Sequence, residues 1–99
     1  MAYTIIFAES VNEQLKKLTA RQRAVVLDEI ETQLLHEPLV ETRNRKKLRP
    51  NPIAPWELRI GKLRVFFDVK HTDLKEVHVL AIGIKERNKV VIAGREIPL

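Results

Sequence analysis

One stretch, Trp56 to Val69, constrains the fold of this chain more than any other, because it predicts a β-hairpin. Apolar and polar residues alternate on both sides of Gly61-Lys62, which is the period of half-buried strands. Glycine at the first central position suits a two-residue type II′ turn. The register that this turn imposes has four pairs: Ile60 with Leu63, Arg59 with Arg64, Leu58 with Val65, and Trp56 with Phe67.

The polar face of this hairpin brings two guanidinium groups together, those of Arg59 and Arg64. Like charges directly opposite each other on a sheet destabilise it, by about 0.2–1 kcal/mol. Two interpretations stay open: Glu57 or Asp68 neutralises the pair, or the pair binds an anion from outside the protein. Arginine is the donor whose planar fork matches phosphate. On the second interpretation, Arg64→Ala spares or even raises stability.

The charge of the chain is distributed unevenly. Residues 1–42 contain four Lys or Arg against seven Asp or Glu, whereas residues 43–99 contain fourteen against six. Such a basic half suits an acidic partner, most often nucleic acid or an acidic protein segment. The 99 residues predict one domain, 1–99, and the absence of cysteine favours a cytoplasmic location. The short apolar N-terminus predicts a strand and no membrane anchor.

The first part of the chain predicts a strand followed by a helical hairpin. The strand covers Tyr3 to Phe7. Two capping boxes, Ser10–Glu13 and Thr19–Gln22, mark the starts of the two helices. The apolar stripes predicted to face the core are Val11, Leu15 and Leu18 in the first helix and Leu27, Ile30 and Leu34 in the second.

The rest of the chain predicts a mostly antiparallel sheet. The basic stretch Glu41–Arg49 is expected to run into a short edge strand, and the apolar run Glu76–Ile84 to form a central strand. Gly83 near its end permits a close backbone approach. In the tail, Val90–Ile92 and Ala93-Gly94 favour a short C-terminal hairpin or extended segment over a helix. The expected fold class is therefore α+β, β-α-α-β-β-β plus this tail, with the N-terminal strand and αα-hairpin packed on a four-stranded sheet.

Five short motifs, spread over nearly the whole chain, carry a family likeness. They are Y-x-I-x-F at Tyr3–Phe7, K-K-L at Lys16–Leu18, K-L-R at Lys47–Arg49, W-E-L-R-I-G-K-L-R-V-F-F at Trp56–Phe67, and G-I-K-E-R-N at Gly83–Asn88. In this order and spacing they resemble the RelE/ParE superfamily of toxins from type II toxin–antitoxin systems. The resemblance implies a microbial-RNase-like fold and a cognate antitoxin that wraps the toxin, with operator DNA contacted only through that antitoxin. For the RelE-like branch, which we favour, it implies metal-independent mRNA cleavage on the ribosome.

Carried over by position, the resemblance implies that Arg64 and Lys85 act in catalysis, with Arg59 beside them. Cleavage by 2′-hydroxyl attack also needs a base, for which Glu57 and Lys85 are the candidates, although an ion pair with an arginine is the simpler role of Glu57. The candidate RNA-binding residues are the surrounding basic side chains, Arg45, Lys46, Lys47, Arg49, Lys62, Arg87 and Lys89. No Cys/His spacing matches a metal site, so we expect no metal and no other cofactor.

The chain departs from the pattern of the family at two positions. Glu57 stands where the family has a lysine, and Val91 stands where the tail of RNA-cutting relatives carries a tyrosine. Besides the endoribonuclease, two functions therefore stay open. One is a ParE-like toxin that binds gyrase and is no nuclease, and the other is a degenerate toxin that acts as a corepressor with its antitoxin.

Overall fold

The computed structural model describes residues 2–70 and 74–97. In this part of the chain it contains two helices, α1 (Glu9–Lys16) and α2 (Ala20–Leu34). The strands are β1 (Thr4–Phe7), β2 (Arg45–Lys47), β3 (Trp56–Ile60), β4 (Leu63–Lys70), β5 (Glu76–Glu86), β6 (Lys89–Ile92) and β7 (Arg95–Ile97). Neither of the two helices is long and apolar enough to cross a membrane.

All seven strands join one sheet. Strands β2 to β7 are successive antiparallel neighbours, and β1 pairs in parallel with β5. The predicted α+β class, with two helices against a mostly antiparallel sheet, is confirmed. The predicted count of four strands is wrong, because the short edge strand β2 and the tail strands β6 and β7 extend the same sheet through main-chain pairing.

The β3–β4 hairpin has the predicted register, with Arg59 opposite Arg64 and Trp56 opposite Phe67. Gly61 has a φ of +58°, as the first central residue of a type II′ turn requires. The Trp56 and Phe67 rings stack with their centroids 6.0 Å apart. The hairpin therefore places an apolar face in the core and the two arginines on the other face.

Apolar side chains are buried on both faces of the sheet. The larger cluster lies between the sheet and the helices, and it includes Trp56, Leu58, Phe67, Val77 and Val79 from the strands. A smaller cluster on the opposite face consists of Ala54, Phe66, Ala81, Val90 and Ile92. Loop residues 48 and 53 and the tail hairpin pack against this second cluster. Strand β5 is therefore buried on both faces, as predicted.

A bulge in β5 changes which of its residues face the helices. Phe66 lies opposite Ala81, but the next residue, Phe67, lies opposite Val79, so Leu80 is an extra residue in β5. Odd-numbered residues before the bulge and even-numbered residues after it face the helices. The end of β5 therefore presents its odd-numbered residues to the opposite face.

Strands β1 and β6 pair with the same edge of β5 at different positions. β1 pairs with residues 76 to 79 and β6 with residues 84 to 86, which leaves a gap between them. The buried side chain of Gln14 fills this gap, since its Oε1 accepts a hydrogen bond from the Ile82 N–H at 2.7 Å. Helix α1 is thereby tied to the middle of the central strand.

Of the two predicted capping boxes, the one at Thr19–Gln22 is present and the one at Ser10–Glu13 is not. Thr19 Oγ1 accepts a hydrogen bond from the Gln22 N–H at 3.1 Å, and Gln22 Oε1 accepts one from the Thr19 N–H at 3.0 Å. The predicted Ser10 box is wrong, because α1 begins earlier and no side chain caps it. The N–H of Ala8 is bound to the carbonyl of Val79 at 2.9 Å, so strand pairing leads directly into the helix.

The buried stripe of α2 differs by one residue from the predicted one. Val26, Ile30 and Leu34 are buried, at a spacing of four residues. Leu27 was predicted to face the core, yet it is 39% exposed. With Val26 inward, the longer α2 still covers the sheet with one continuous apolar stripe.

The tail forms the predicted C-terminal hairpin. Ala93 and Gly94 connect β6 to β7 with φ angles of +51° and +81°, the signs that a type I′ turn requires. Gly83 permits the close approach of β6, because a Cβ at that position would lie 2.7 Å from the carbonyl oxygen of Val91. The hairpin thus lies directly against the end of β5.

Candidate functional site

A cleft of about 690 Å³ lies on the side of the sheet that carries the paired arginines. It is lined by β2 and the loop after it, by the β3–β4 hairpin, and by the turn between β5 and β6. Among the described residues its lining holds seven cations and one carboxylate: Lys46, Lys47, Arg49, Arg59, Arg64, Lys85 and Lys89, with Glu57. Such an excess of one sign inside a concave surface raises the local concentration of oppositely charged ligands.

The strand register explains why these side chains meet. Residues opposite each other in a sheet, and residues two apart on one strand, share a face. Arg59 lies opposite Arg64, and Arg64 lies opposite Gly83. Glu57 is two residues before Arg59, and Lys85 is two residues after Gly83. The four predicted catalytic residues therefore share one face, and all of them line the cleft.

Glu57 lies between the two arginines. Its Oε1 accepts a hydrogen bond from Nε of Arg59 at 2.6 Å and lies 4.0 Å from Nε of Arg64. Asp68, the other predicted neutralising group, instead lies 3.7 Å from Nζ of Lys70. Glu57 therefore provides the neutralising charge that one interpretation expected. It balances only one of the two guanidinium charges, so the trio keeps a positive charge.

The Arg64 guanidinium is fixed inside the cleft by main-chain acceptors. Its Nη1 donates to the carbonyl oxygens of Gly61 at 2.7 Å and Leu63 at 2.9 Å. Burial lowers the pKa of Arg64, while the nearby Glu57 carboxylate raises it and Arg59 lowers it again. Because the ordinary pKa of arginine lies far above neutrality, Arg64 remains a cation at neutral pH.

The predicted RNA-binding residues separate by position. Four of them line the cleft: Lys46, Lys47, Arg49 and Lys89. Lys89 also pairs with Glu96, with 2.9 Å between Nζ and Oε2. Lys62 lies in the β3–β4 turn and Arg87 in the β5–β6 turn, and neither belongs to the lining. The structure therefore brings the cations of β2 and its loop close to those of β5 and β6.

Arg45 does not line the cleft but lies buried beside the C-terminal end of α2. It is buried, and its Nη1 donates to the carbonyl oxygens of Gln33 at 2.7 Å and Glu37 at 2.6 Å. Its Nε is buried without a partner among the described residues. The guanidinium joins β2 to the C-terminal end of α2, so we remove Arg45 from the candidate RNA-binding residues.

Val91, which the resemblance in sequence aligned with a tail tyrosine, points away from the cleft. Val91 lies opposite Ile84, whose side chain packs against the helix-side cluster. Val90 lies opposite Lys85 and lines the cleft. The tail therefore presents Val90 to the candidate site, and none of the described lining residues is aromatic.

Asn51 is a residue that the sequence analysis missed. Its Nδ2 donates to the carbonyls of Arg49 at 2.7 Å and Ala54 at 2.9 Å, and its Oδ1 accepts from the N–H groups of Ile53 and Ala54. These bonds hold the loop that places Arg49 at the cleft. The available signal was the P-N-P sequence, because asparagine in a proline-rich turn often binds the local main chain.

Within the described ranges, no group of three or more His, Cys, Asp and Glu side chains could hold a metal ion. The described cleft lining offers guanidinium, ammonium, carboxylate and amide groups, with apolar contacts from Leu48, Pro50 and Val90. Such groups can bind phosphate, stabilise a developing negative charge and exchange protons.

The fold is similar to that of a solved toxin–antitoxin assembly. No protein-family model and no curated protein matches the sequence. A chain from the crystal structure of the toxin–antitoxin complex RelBE2 of Mycobacterium tuberculosis aligns with a TM-score of 0.70 and 27% sequence identity. The alignment covers 86% of this chain and 100% of that chain. The resemblance carried by the sequence motifs is thereby confirmed, and the chain has the fold of a RelE-like toxin.

Proposed function

We propose that this chain is the toxin of a type II toxin–antitoxin system and that it cleaves mRNA on the ribosome. One observation carries the proposal, namely the cleft whose described lining gathers seven cations around a single carboxylate on a RelE-like fold. A nucleic acid backbone bound in such a cleft releases its counterions to solution. The partners are then ribosome-bound mRNA in the cytoplasm and a cognate antitoxin, by analogy with the solved complex.

The proposed reaction is attack of an RNA 2′-hydroxyl on the adjacent phosphorus. Glu57 accepts the proton of that hydroxyl, and Lys85 gives a proton to the departing 5′-oxygen. Arg64, held at its fixed position, and Arg59 stabilise the negative charge of the phosphorane. The products are a 2′,3′-cyclic phosphate and a free 5′-hydroxyl, so the atoms balance without a further reactant.

The other cations suit phosphates that flank the scissile one. Lys46, Lys47 and Arg49 follow one another along β2 and its loop, on one side of the arginine pair. Lys85 and Lys89 lie at the β5–β6 turn. A strand of RNA that crosses the cleft from β2 to this turn would pass Arg59 and Arg64 on its way.

The test is cleavage of a defined mRNA, free or bound to ribosomes, by the purified chain. We expect cuts only in ribosome-bound mRNA, with cyclic phosphate ends, and we expect Lys85→Ala to abolish them. Lys16→Ala is the matched control, because Lys16 is an exposed lysine on α1 that pairs with Glu13. Intact mRNA in cells whose growth the wild-type chain arrests would contradict the nuclease.

The second candidate function is a toxin that binds gyrase. It is favoured by the lack of an aromatic side chain among the described cleft-lining residues, since aromatic rings are common platforms for RNA bases. Gyrase-linked DNA breaks with intact mRNA would identify this function. A degenerate toxin would produce neither effect, and would instead strengthen operator binding by its antitoxin.

A further inference from the structure

We propose that the Glu57 carboxylate is the ion-pair partner of Arg59 in the free protein and that a phosphate of bound RNA replaces it. The inference rests on the proposed function, because it takes the ligand to be an RNA phosphate. It assigns Glu57 a role in binding that opposes its role in cleavage: the carboxylate competes with the substrate for one of the cations that the substrate needs.

The geometry shows which contact can open. The Arg64 side chain is 9% exposed and is bound to two main-chain carbonyls, so it cannot leave its position without losing both. The Arg59 side chain is 45% exposed, and its hydrogen bond runs to Glu57. Arg59 is therefore the arginine that can turn toward a ligand in the cleft.

Carboxylate and phosphate compete for the same donor, because both match the guanidinium fork. Glu57 uses Nε of Arg59, so a phosphate that binds this guanidinium through Nε and the neighbouring Nη takes over that contact. After the exchange Glu57 still lies 4.0 Å from Nε of Arg64, so the buried carboxylate keeps one cation nearby. The exchange also frees Oε1 of Glu57 to accept a proton, which couples substrate binding to the appearance of the base.

This competition predicts opposite effects on binding and cleavage. In Glu57→Gln the side chain keeps its shape but loses its charge, so Arg59 is released to the phosphate and affinity rises. The same variant has no carboxylate to accept the 2′-hydroxyl proton, so cleavage is lost. A residue whose role is only structural would lower both quantities together.

The measurement is the affinity for a fluorescent single-stranded all-2′-deoxy oligonucleotide, which offers phosphates and bases but no 2′-hydroxyl to attack. We expect Glu57→Gln to bind about tenfold more tightly, the scale of one charge-assisted hydrogen bond. The slope of log affinity against log salt should steepen by about 0.7, the value for one added phosphate contact on a single strand. Glu13→Gln is the control, because it changes net charge equally on α1, where Glu13 pairs with Lys16.

A double-mutant cycle distinguishes competition for Arg59 from a general change in the electrostatic potential of the cleft, which removal of any negative charge would cause. In an Arg59→Met background, Glu57→Gln should give no gain in affinity, since the group to be released is absent. An equal gain in both backgrounds, or weaker binding by Glu57→Gln, would overturn the proposal. Unchanged affinity with normal cleavage by the wild-type chain would overturn this inference alone, whereas no binding by any form would overturn the RNA function as well.

Discussion

Gln14 accepts a hydrogen bond from the main-chain N–H of Ile82 at 2.7 Å, across 68 positions of sequence. The bond lies where β1 no longer pairs with β5 and β6 does not yet do so. None of the described strands accepts a hydrogen bond from this N–H, and a buried donor left unpaired costs about 1–3 kcal/mol. One amide of α1 therefore holds β5 just before the segment that brings Lys85 to the cleft.

We expect Gln14→Leu to lower the free energy of unfolding by about 1–3 kcal/mol, because it leaves the Ile82 N–H unpaired in the interior. Urea denaturation measures the loss. Gln33→Leu is the control, since the side-chain amide of Gln33 donates to Glu29 on the same helix at 3.0 Å and such pairs contribute about 0.2–0.5 kcal/mol. Equal losses in the two variants would show that the bond to β5 contributes nothing particular.

We expect Arg64→Ala to destabilise the protein, which reverses the expectation from the sequence. The opposed arginines suggested that removing one would relieve repulsion, but Arg64 is buried and binds two carbonyl groups. Loss of these bonds should lower the free energy of unfolding by about 1–3 kcal/mol. Arg21→Ala, at an exposed position on α2, should change it by less than about 0.5 kcal/mol. A more stable Arg64→Ala variant would restore the repulsion argument.

Arg45 and Lys46 should behave in opposite ways, because these two neighbouring cations of the short strand β2 face opposite sides of the sheet. Arg45→Met should lower the melting temperature and leave the salt dependence of oligonucleotide binding unchanged, because Arg45 binds the end of α2. Lys46→Met should leave the melting temperature unchanged and reduce the salt slope, because Lys46 lies opposite Glu57 and lines the cleft. A reduced salt slope in Arg45→Met would return that residue to the RNA-binding set.

Gly83→Ala should displace the tail hairpin. The new Cβ would lie 2.7 Å from the carbonyl oxygen of Val91 and 2.9 Å from Cγ1 of Val90, so β6 must move. Overpacking of this kind costs about 1–3 kcal/mol, and cleavage should fall with it because Lys85 is two residues away. Gly94→Ala is the comparison: its Cβ would meet nothing within 4 Å, so it should lose stability only through its φ of +81° and keep the cleft intact.

An aromatic residue introduced into the tail should raise the cleavage rate only where its side chain points into the cleft. Val91→Tyr should not change the rate, because Val91 shares its face with Ile84 on the helix side. Asn88→Tyr should raise the rate, because Asn88 is exposed and lines the cleft, where a ring can stack on a base. Ribosome-dependent cleavage rates of the two variants give the comparison, and acceleration by Val91→Tyr would show that the assigned face is wrong.

The local patterns in the sequence were sufficient to predict several elements of the fold. The β3–β4 register, the Thr19 capping box and the tail hairpin each depend on residues close together in sequence, and all three are present. The positions of Glu57, Arg59 and Arg64 on one face follow from that register alone. Local alternation thus predicts the shared face of three of the four candidate catalytic residues, all except Lys85.

The remaining features depend on contacts between distant segments. The bulge at Leu80 reverses the alternation of β5, and without it Lys85 would face the helices. Arg45 has the sequence context of a surface cation, but its acceptors are carbonyls 12 and 8 residues away. Ser10 looks like a helix cap, yet the N–H of Ala8 is already bound to Val79. In each case tertiary pairing decides what the local pattern leaves open.

The parallel pairing of β1 with β5 has a consequence for the order of events during synthesis. β1 is synthesised long before its partner, residues 76 to 79 of β5. Contacts so distant in sequence form late, because the intervening chain must first be synthesised and closed into a loop. The cleft also requires Lys85 and the β5–β6 turn, which follow residues 76 to 79 in the sequence. A nascent chain therefore carries an incomplete cleft until β5 and the β5–β6 turn have left the ribosome, however early β2, β3 and β4 are made.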